Sequence, residues 1–151
     1  MARTKSAEQI TRATQHTASA AALATGAELS RRGYDVTFTL GNTRRVDLFC
    51  SVPDGKLFKV QVKGISNANA FYLNKSFFDV PARAGPFLVV VLVPKKGKER
   101  DPFRFFILTY AEAKKEFFKY RDPIGFLWGA ITPYENNWSA FPRTNVGMSS
   151  A

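Results

Sequence analysis

The chain has 151 residues, 45% of them hydrophobic, and a formal net charge of +10. That length suits one domain with a real core; the single cysteine, Cys50, excludes an internal disulfide, and the single histidine, His16, excludes a His-rich zinc site and leaves little room for histidine-based catalysis. No apolar run approaches the roughly 18 residues of a membrane span and no apolar stretch with a cleavage site marks a secretion signal, so a cytoplasmic protein with no membrane partner is expected. A surface this basic attracts polyanions, and nucleic acid is the expected one.

Residues 1–16 are polar and threonine-rich and read as a mobile N-terminal arm, with the domain proper over 17–151. Ser6 and Gln9 nevertheless have the spacing of a capping box, which would start a helix within the arm. Residues 17–32 are rich in Ala, Leu and Glu and end at Gly33, which predicts a helix with Arg31 and Arg32 complementing its dipole.

Three strands are predicted next: YDVTFTL (34–40), RRVDLFCSV (44–52) and KLFKVQVKG (56–64), the last two joined by a tight PDG turn. AFYLN (70–74) reads as a further short strand, and SFFDVPARAG (76–85) as a short helix or loop. PFLVVVLV (86–93) has no polar alternation and is expected as a central strand buried on both faces. A basic loop, PKKGKERDP, leads to the strand FRFFILT (103–109), and YAEAKKEFFKY (110–120) reads as a helix that turns Ala113, Phe117 and Phe118 to the core. GAITPYENNWSAF (129–141) is expected as a short strand followed by a turn or short helix, with Trp128 and Trp138 as packing anchors. The order predicts a mixed α/β domain built around one central sheet.

Alternation along 56–64 puts Leu57, Lys59, Gln61 and Lys63 on one face and Phe58, Val60 and Val62 on the other, the core face. On the preceding strand Asp47 and Phe49 share a face. Pairing symmetrically about Asp54–Gly55 puts Asp47 opposite Val62; one residue of slippage brings it directly opposite Gln61 or Lys63. A carboxylate, an amide oxygen and a lysine then meet at one end of the sheet. Asp47 would hold a divalent cation, Mg2+ or Mn2+, with the Gln61 amide oxygen and the Val62 backbone oxygen as further hard donors. Lys63 would orient or help deprotonate an attacking water, or neutralise the pentacovalent phosphorus.

Helix, then VDL, a turn, then VQVKG resembles the PD-(D/E)XK nuclease superfamily, the restriction-endonuclease-like fold. More narrowly it is similar to the compact members related to archaeal Holliday-junction resolvases and to uncharacterised bacterial homologues. The resemblance covers about residues 17–64. It implies metal-dependent hydrolysis of DNA phosphodiester bonds, with Asp47 as the aspartate of the first motif and Gln61-Val62-Lys63 as the (D/E)XK motif. Pro53-Asp54 spells the family's name but falls in the turn, where aspartate is common for local reasons.

Two departures stand out. Gln61 replaces the acid of the motif. Many relatives also carry a glutamate on the first helix, about three turns before its terminal glycine, and Ala22 stands there; the acid nearby, Glu28, is either a third metal ligand or only a surface or helix-pairing residue. Relatives are often dimers, so a homodimer is a further implication. Arg44 and Arg45 precede Asp47 and stand either against the phosphate backbone or simply in a basic turn, and Lys95 and Lys96 lie in the basic loop that would clamp DNA. Two alternatives remain beside the nuclease: a catalytically degenerate nucleic-acid-binding module of the same fold, and a basic adaptor protein.

Overall fold

A strong helix former with a satisfied first turn starts early, and this one does. The first helix, α1, runs from Ala7 to Arg31 in the computed structural model, which describes residues 6–39, 47–81, 84–117 and 126–144. The Ser6 hydroxyl accepts from the Gln9 N–H at 3.2 Å and the Gln9 side-chain oxygen accepts from the Ser6 N–H at 2.9 Å, closing the capping box and moving the helix start ten residues ahead of Thr17. At the other end Gly33 takes a left-handed conformation (φ 96°), its N–H donating to Ser30 O and that of Tyr34 to Leu29 O. This is the paired-carbonyl stop that glycine permits without steric cost.

Five strands follow in one sheet: β1 (Asp35–Phe38), β2 (Asp47–Ser51), β3 (Leu57–Ile65), β4 (Phe87–Leu92) and β5 (Arg104–Leu108), each beside its neighbour in sequence. The first three form an antiparallel meander, β4 runs parallel to β3, and β5 returns antiparallel. The mixed α/β architecture expected from the sequence is therefore present. Leu88 to Val91 are all buried, as a strand covered on both faces requires.

Side-chain alternation divides the core into two layers. On one face Leu48, Cys50, Val60, Val89, Val91 and Ile107 pack beneath Ala21 and Leu29 of α1, with Phe141. Gly64 lets the helix settle there: a β-carbon at that position would stand 2.7 Å from Thr17 O and 2.9 Å from Ala21 Cβ. Tyr34, just past α1, packs edge-on against Phe58 near the start of β3, so α1 runs antiparallel to β3. The Tyr34 hydroxyl donates to Pro142 O and ties the C-terminal segment to this layer.

On the other face Ile65, Leu88, Val90, Phe106 and Leu108 pack under a 3-10 turn, Lys75–Phe78, and two short helices, α2 (Tyr110–Phe117) and α3 (Trp128–Ile131). Ala113 and Phe117 are buried in this layer as expected; Phe118 lies outside the described residues. Two expected strands are absent as such. Of AFYLN, Phe71 alone forms a bridge, to Phe126. GAITPY forms α3 and a 3-10 turn, Thr132–Tyr134, because Trp128 and Ile131 pack into the layer at helical spacing and Pro133 suits a helical first turn. The outer edge of β5 is capped by this segment: Asn136 N–H donates to Phe105 O at 2.8 Å and the Asn137 amide to Ile107 O at 3.2 Å.

Candidate active site

The second layer covers only half of its face. Over β4 and β5 the sheet is sealed, whereas the same face of β1, β2 and the first part of β3 stays open: Thr37 is exposed, Phe49 is 50% exposed and Leu57 79% exposed. Lys59, Gln61 and Lys63 on β3 are half-buried along this open tray. Lys63 stands at its inner border, paired with the fully buried Val90 of β4.

Asp47 pairs directly with Gln61 across β2 and β3, and Phe49 with Lys59. Asp47 is thus one residue out of the symmetric register. The loop between the strands spans 52–56, with Val52 N–H donating to Lys56 O at 3.0 Å and Gly55 N–H to Val52 O at 2.9 Å. Residues directly opposite in such a pair have β-carbons about 5 Å apart, and diagonal ones about 7–8 Å, within reach of a lysine. Gln61 and Lys63 follow on the same face of β3, two residues apart. Burial holds the Lys63 ammonium below its ordinary pKa.

Val62 lies between them, paired with Val89, and its side chain packs in the layer under α1. It has only its backbone oxygen to offer a cation.

The Pro53-Asp54 pair belongs to the turn. An Asp54 carboxylate oxygen accepts from the Lys56 N–H at 3.2 Å, and both residues are exposed.

Glu28 does not join the site. It sits in the last turns of α1, the helix that covers the opposite face of the sheet, and pairs with Arg31 at 2.9 Å and Arg32 at 3.6 Å. Its spacing to these arginines, i+3 and i+4, makes the three a local surface network. Ala22 is buried in α1. Among the described residues no three His, Cys, Asp or Glu side chains cluster as a metal centre. A hard cation at this place would be held by one carboxylate, Asp47, with neutral oxygens from Gln61 and Val62. That donor set suits Mg2+ chemistry in kind and is poor in charge.

Arg44 and Arg45 lie outside the described residues. Lys95 and Lys96 are exposed in the turn after β4, as the sequence suggested. Lys95 and Lys98 line a cleft of about 450 Å3 at the carboxyl ends of β3 and β4, together with Ser66, Leu92, Pro94 and Arg104. The Arg104 guanidinium pairs with Glu135 through two hydrogen bonds of 2.9 and 3.0 Å, and Lys95 and Lys98 are exposed at this cleft's rim. The tryptophans act as anchors: the Arg32 guanidinium lies 4.3 Å from the Trp138 ring centre and Trp128 packs edge-on against Phe106.

One feature of the tray had no separate signal in the sequence. Alternation puts Phe49 in a row with Lys59, but the string does not distinguish this phenylalanine from those that fill the two layers. Its ring remains half-exposed, with the Lys59 ammonium 5.9 Å from the ring centre. No helix among the described residues is long and apolar enough to cross a membrane. No family model matches the chain, and neither a curated protein nor a solved structure is significantly similar to it.

Proposed function

We propose that the chain is a PD-(D/E)XK-like endonuclease that hydrolyses phosphodiester bonds in DNA with a divalent cation, Mg2+ or Mn2+. The observation that supports this reading is the register: Asp47 directly opposite Gln61, with a half-buried lysine two residues further along the same strand. The Asp47 carboxylate and the oxygens of Gln61 and Val62 would hold the cation, which when bound would polarise the scissile phosphate. Lys63 orients the attacking water. Its depressed pKa makes the neutral amine easier to reach, so the same group can accept the proton as water oxygen bonds to phosphorus. One phosphorus–oxygen ester bond breaks in the same displacement, and the departing oxygen takes a proton from solvent. The net charge of +10 draws the polyanion to the protein, and Lys95 and Lys96, exposed in the turn after β4, add phosphate contacts.

A second reading is a DNA-holding module that has lost catalysis. It is favoured by the engagement of Glu28 with two arginines and by the neutral amide at Gln61, which leave Asp47 as the single acid of the proposed site. A cleavage assay on plasmid, linear and branched DNA with Mg2+ or Mn2+ separates the two. Cutting by the wild type that disappears in Asp47→Ala supports the nuclease. Salt-sensitive binding with no cutting under either metal assigns the module instead, and neither cutting nor binding removes both.

A further inference from the structure

The geometry points to a base-stacking subsite at Phe49 that receives an unpaired nucleobase beside the phosphate held at Asp47–Gln61, so that the preferred DNA is single-stranded, flayed or branched. This rests on the reading of the tray as a nucleic-acid surface and deepens it by naming the form of DNA.

A phenylalanine in the middle of a strand normally has its ring covered. Phe49 does not: its neighbours Leu48 and Cys50 are buried under α1, while Phe49 itself points to the open face and stays 50% exposed. Its row is Thr37, Phe49, Lys59 across β1, β2 and β3. The residue on one side is small and the one on the other brings an ammonium to 5.9 Å from the ring centre. Exposed aromatic rings with cations beside them are how proteins hold single strands, because every base has a face to stack and every nucleotide a phosphate to neutralise.

Position decides which nucleotide is held. The Phe49–Lys59 row is the next same-face row after Asp47–Gln61, about 7 Å away along the strands. A neighbouring nucleotide of a stretched strand covers that step. In a duplex the faces of each base are already occupied by stacking, and a ring lying on a sheet cannot reach between them without unstacking the helix. The tray therefore selects bases that are already free. The occupant is argued from charge: the chain carries +10 and the Lys59 ammonium stands beside the exposed ring, which suits a polyanion.

The test is equilibrium binding of the full chain, with EDTA present so that metal-dependent cutting does not intervene, to a single-stranded oligonucleotide, a forked duplex and a blunt duplex. Phe49→Ala is expected to weaken the first two roughly tenfold or more, the size of one lost base–aromatic stack, and to leave the blunt duplex unchanged. Phe49→Trp is expected to restore binding, which shows that the alanine variant did not fail through misfolding. The salt slope stays the same in Phe49→Ala and falls by about one in Lys59→Ala, separating stacking from phosphate contact. Equal affinity of Phe49→Ala and wild type for all three DNAs overturns the subsite, as does an equal loss on all three. A wild-type dimer that Phe49→Ala converts to monomer without touching DNA binding also overturns it and gives the face to a second copy. Selective loss in a protein that never cuts DNA keeps the subsite and removes only the nuclease.

Discussion

Gly64 and Thr17 are held so close that no side chain fits between them. A β-carbon on Gly64 would meet the Thr17 carbonyl oxygen at 2.7 Å and the Ala21 methyl at 2.9 Å, and one of the two is helix backbone that cannot swing aside. Gly64→Ala is therefore expected to lower stability by about 1–3 kcal/mol, the usual cost of overpacking. Urea unfolding measures it. An unchanged midpoint would mean that α1 slides freely on β3.

Lys63 is expected to trade stability for chemistry. Burial makes its ammonium unfavourable, so the folded chain gives up this proton at a lower pH than the unfolded chain, whose value is near 10.5. Between the lowered folded value and 10.5 the unfolded state binds more protons, and stability rises with pH; below the folded value the penalty is present in full. Lys63→Met removes the charge and keeps the stem. Cleavage should fall by about 100-fold or more, as for loss of a proton-transfer group. Thermal unfolding at neutral pH should occur at the same or a higher temperature than in the wild type, and the variant should lack the wild type's gain towards pH 10.5. Retained cutting takes Lys63 out of the mechanism.

Gln61→Glu supplies the charge that the proposed donor set lacks. Opposite Asp47 a second carboxylate is expected to tighten Mg2+ binding about tenfold, equivalent to about 1.4 kcal/mol. Without metal the same variant should be less stable, since two like charges then face each other across the pair. Titration calorimetry reads the first effect and melting in EDTA the second. Affinity equal to wild type would show that position 61 does not touch the ion.

Asp54→Asn should change almost nothing. The side chain accepts a backbone hydrogen bond from Lys56 at 3.2 Å, and asparagine offers the same oxygen. Stability within about 0.5 kcal/mol of wild type and unchanged cleavage are expected. A large loss of cleavage at normal stability would mean that the turn aspartate, and not Asp47, serves the reaction.

The faces of the central strands were legible because alternation is local: each residue of KLFKVQVKG declares its side without reference to the rest of the chain. Register was harder. Symmetry about Asp54–Gly55 assumes a two-residue turn, whereas the Val52–Lys56 hydrogen bond closes a three-residue turn, 53–55, and shifts Asp47 by one place. The start of α1 was written in Ser6 and Gln9, but threonine-rich sequence around them reads as weak helix, and the capping box outweighs it. The fate of Glu28 was also readable in principle, from arginines three and four residues on. The helix at Trp128 was not, since four residues have no helical preference of their own and only the pocket they fill decides. The openness of half a sheet face is likewise a property of what fails to cover it, and no residue on that face records it.

The early start of α1 has a dynamic consequence. At about 1.5 Å per residue its 25 residues span about 37 Å, and Thr17, ten residues in, lies against Gly64 among the last residues of β3. Glu8, Gln9 and residues 13–16 are exposed on turns that project beyond the carboxyl end of β3. A stretch of ten residues is too short to be a stable helix by itself, so it holds through its cap and through continuity with the anchored half. These amides can open to solvent and exchange while the domain stays folded, whereas those around Ala21 to Leu29 must wait for the sheet to release the helix. One continuous rod thus contains two lifetimes, and the boundary between them falls at the glycine contact beside Lys63.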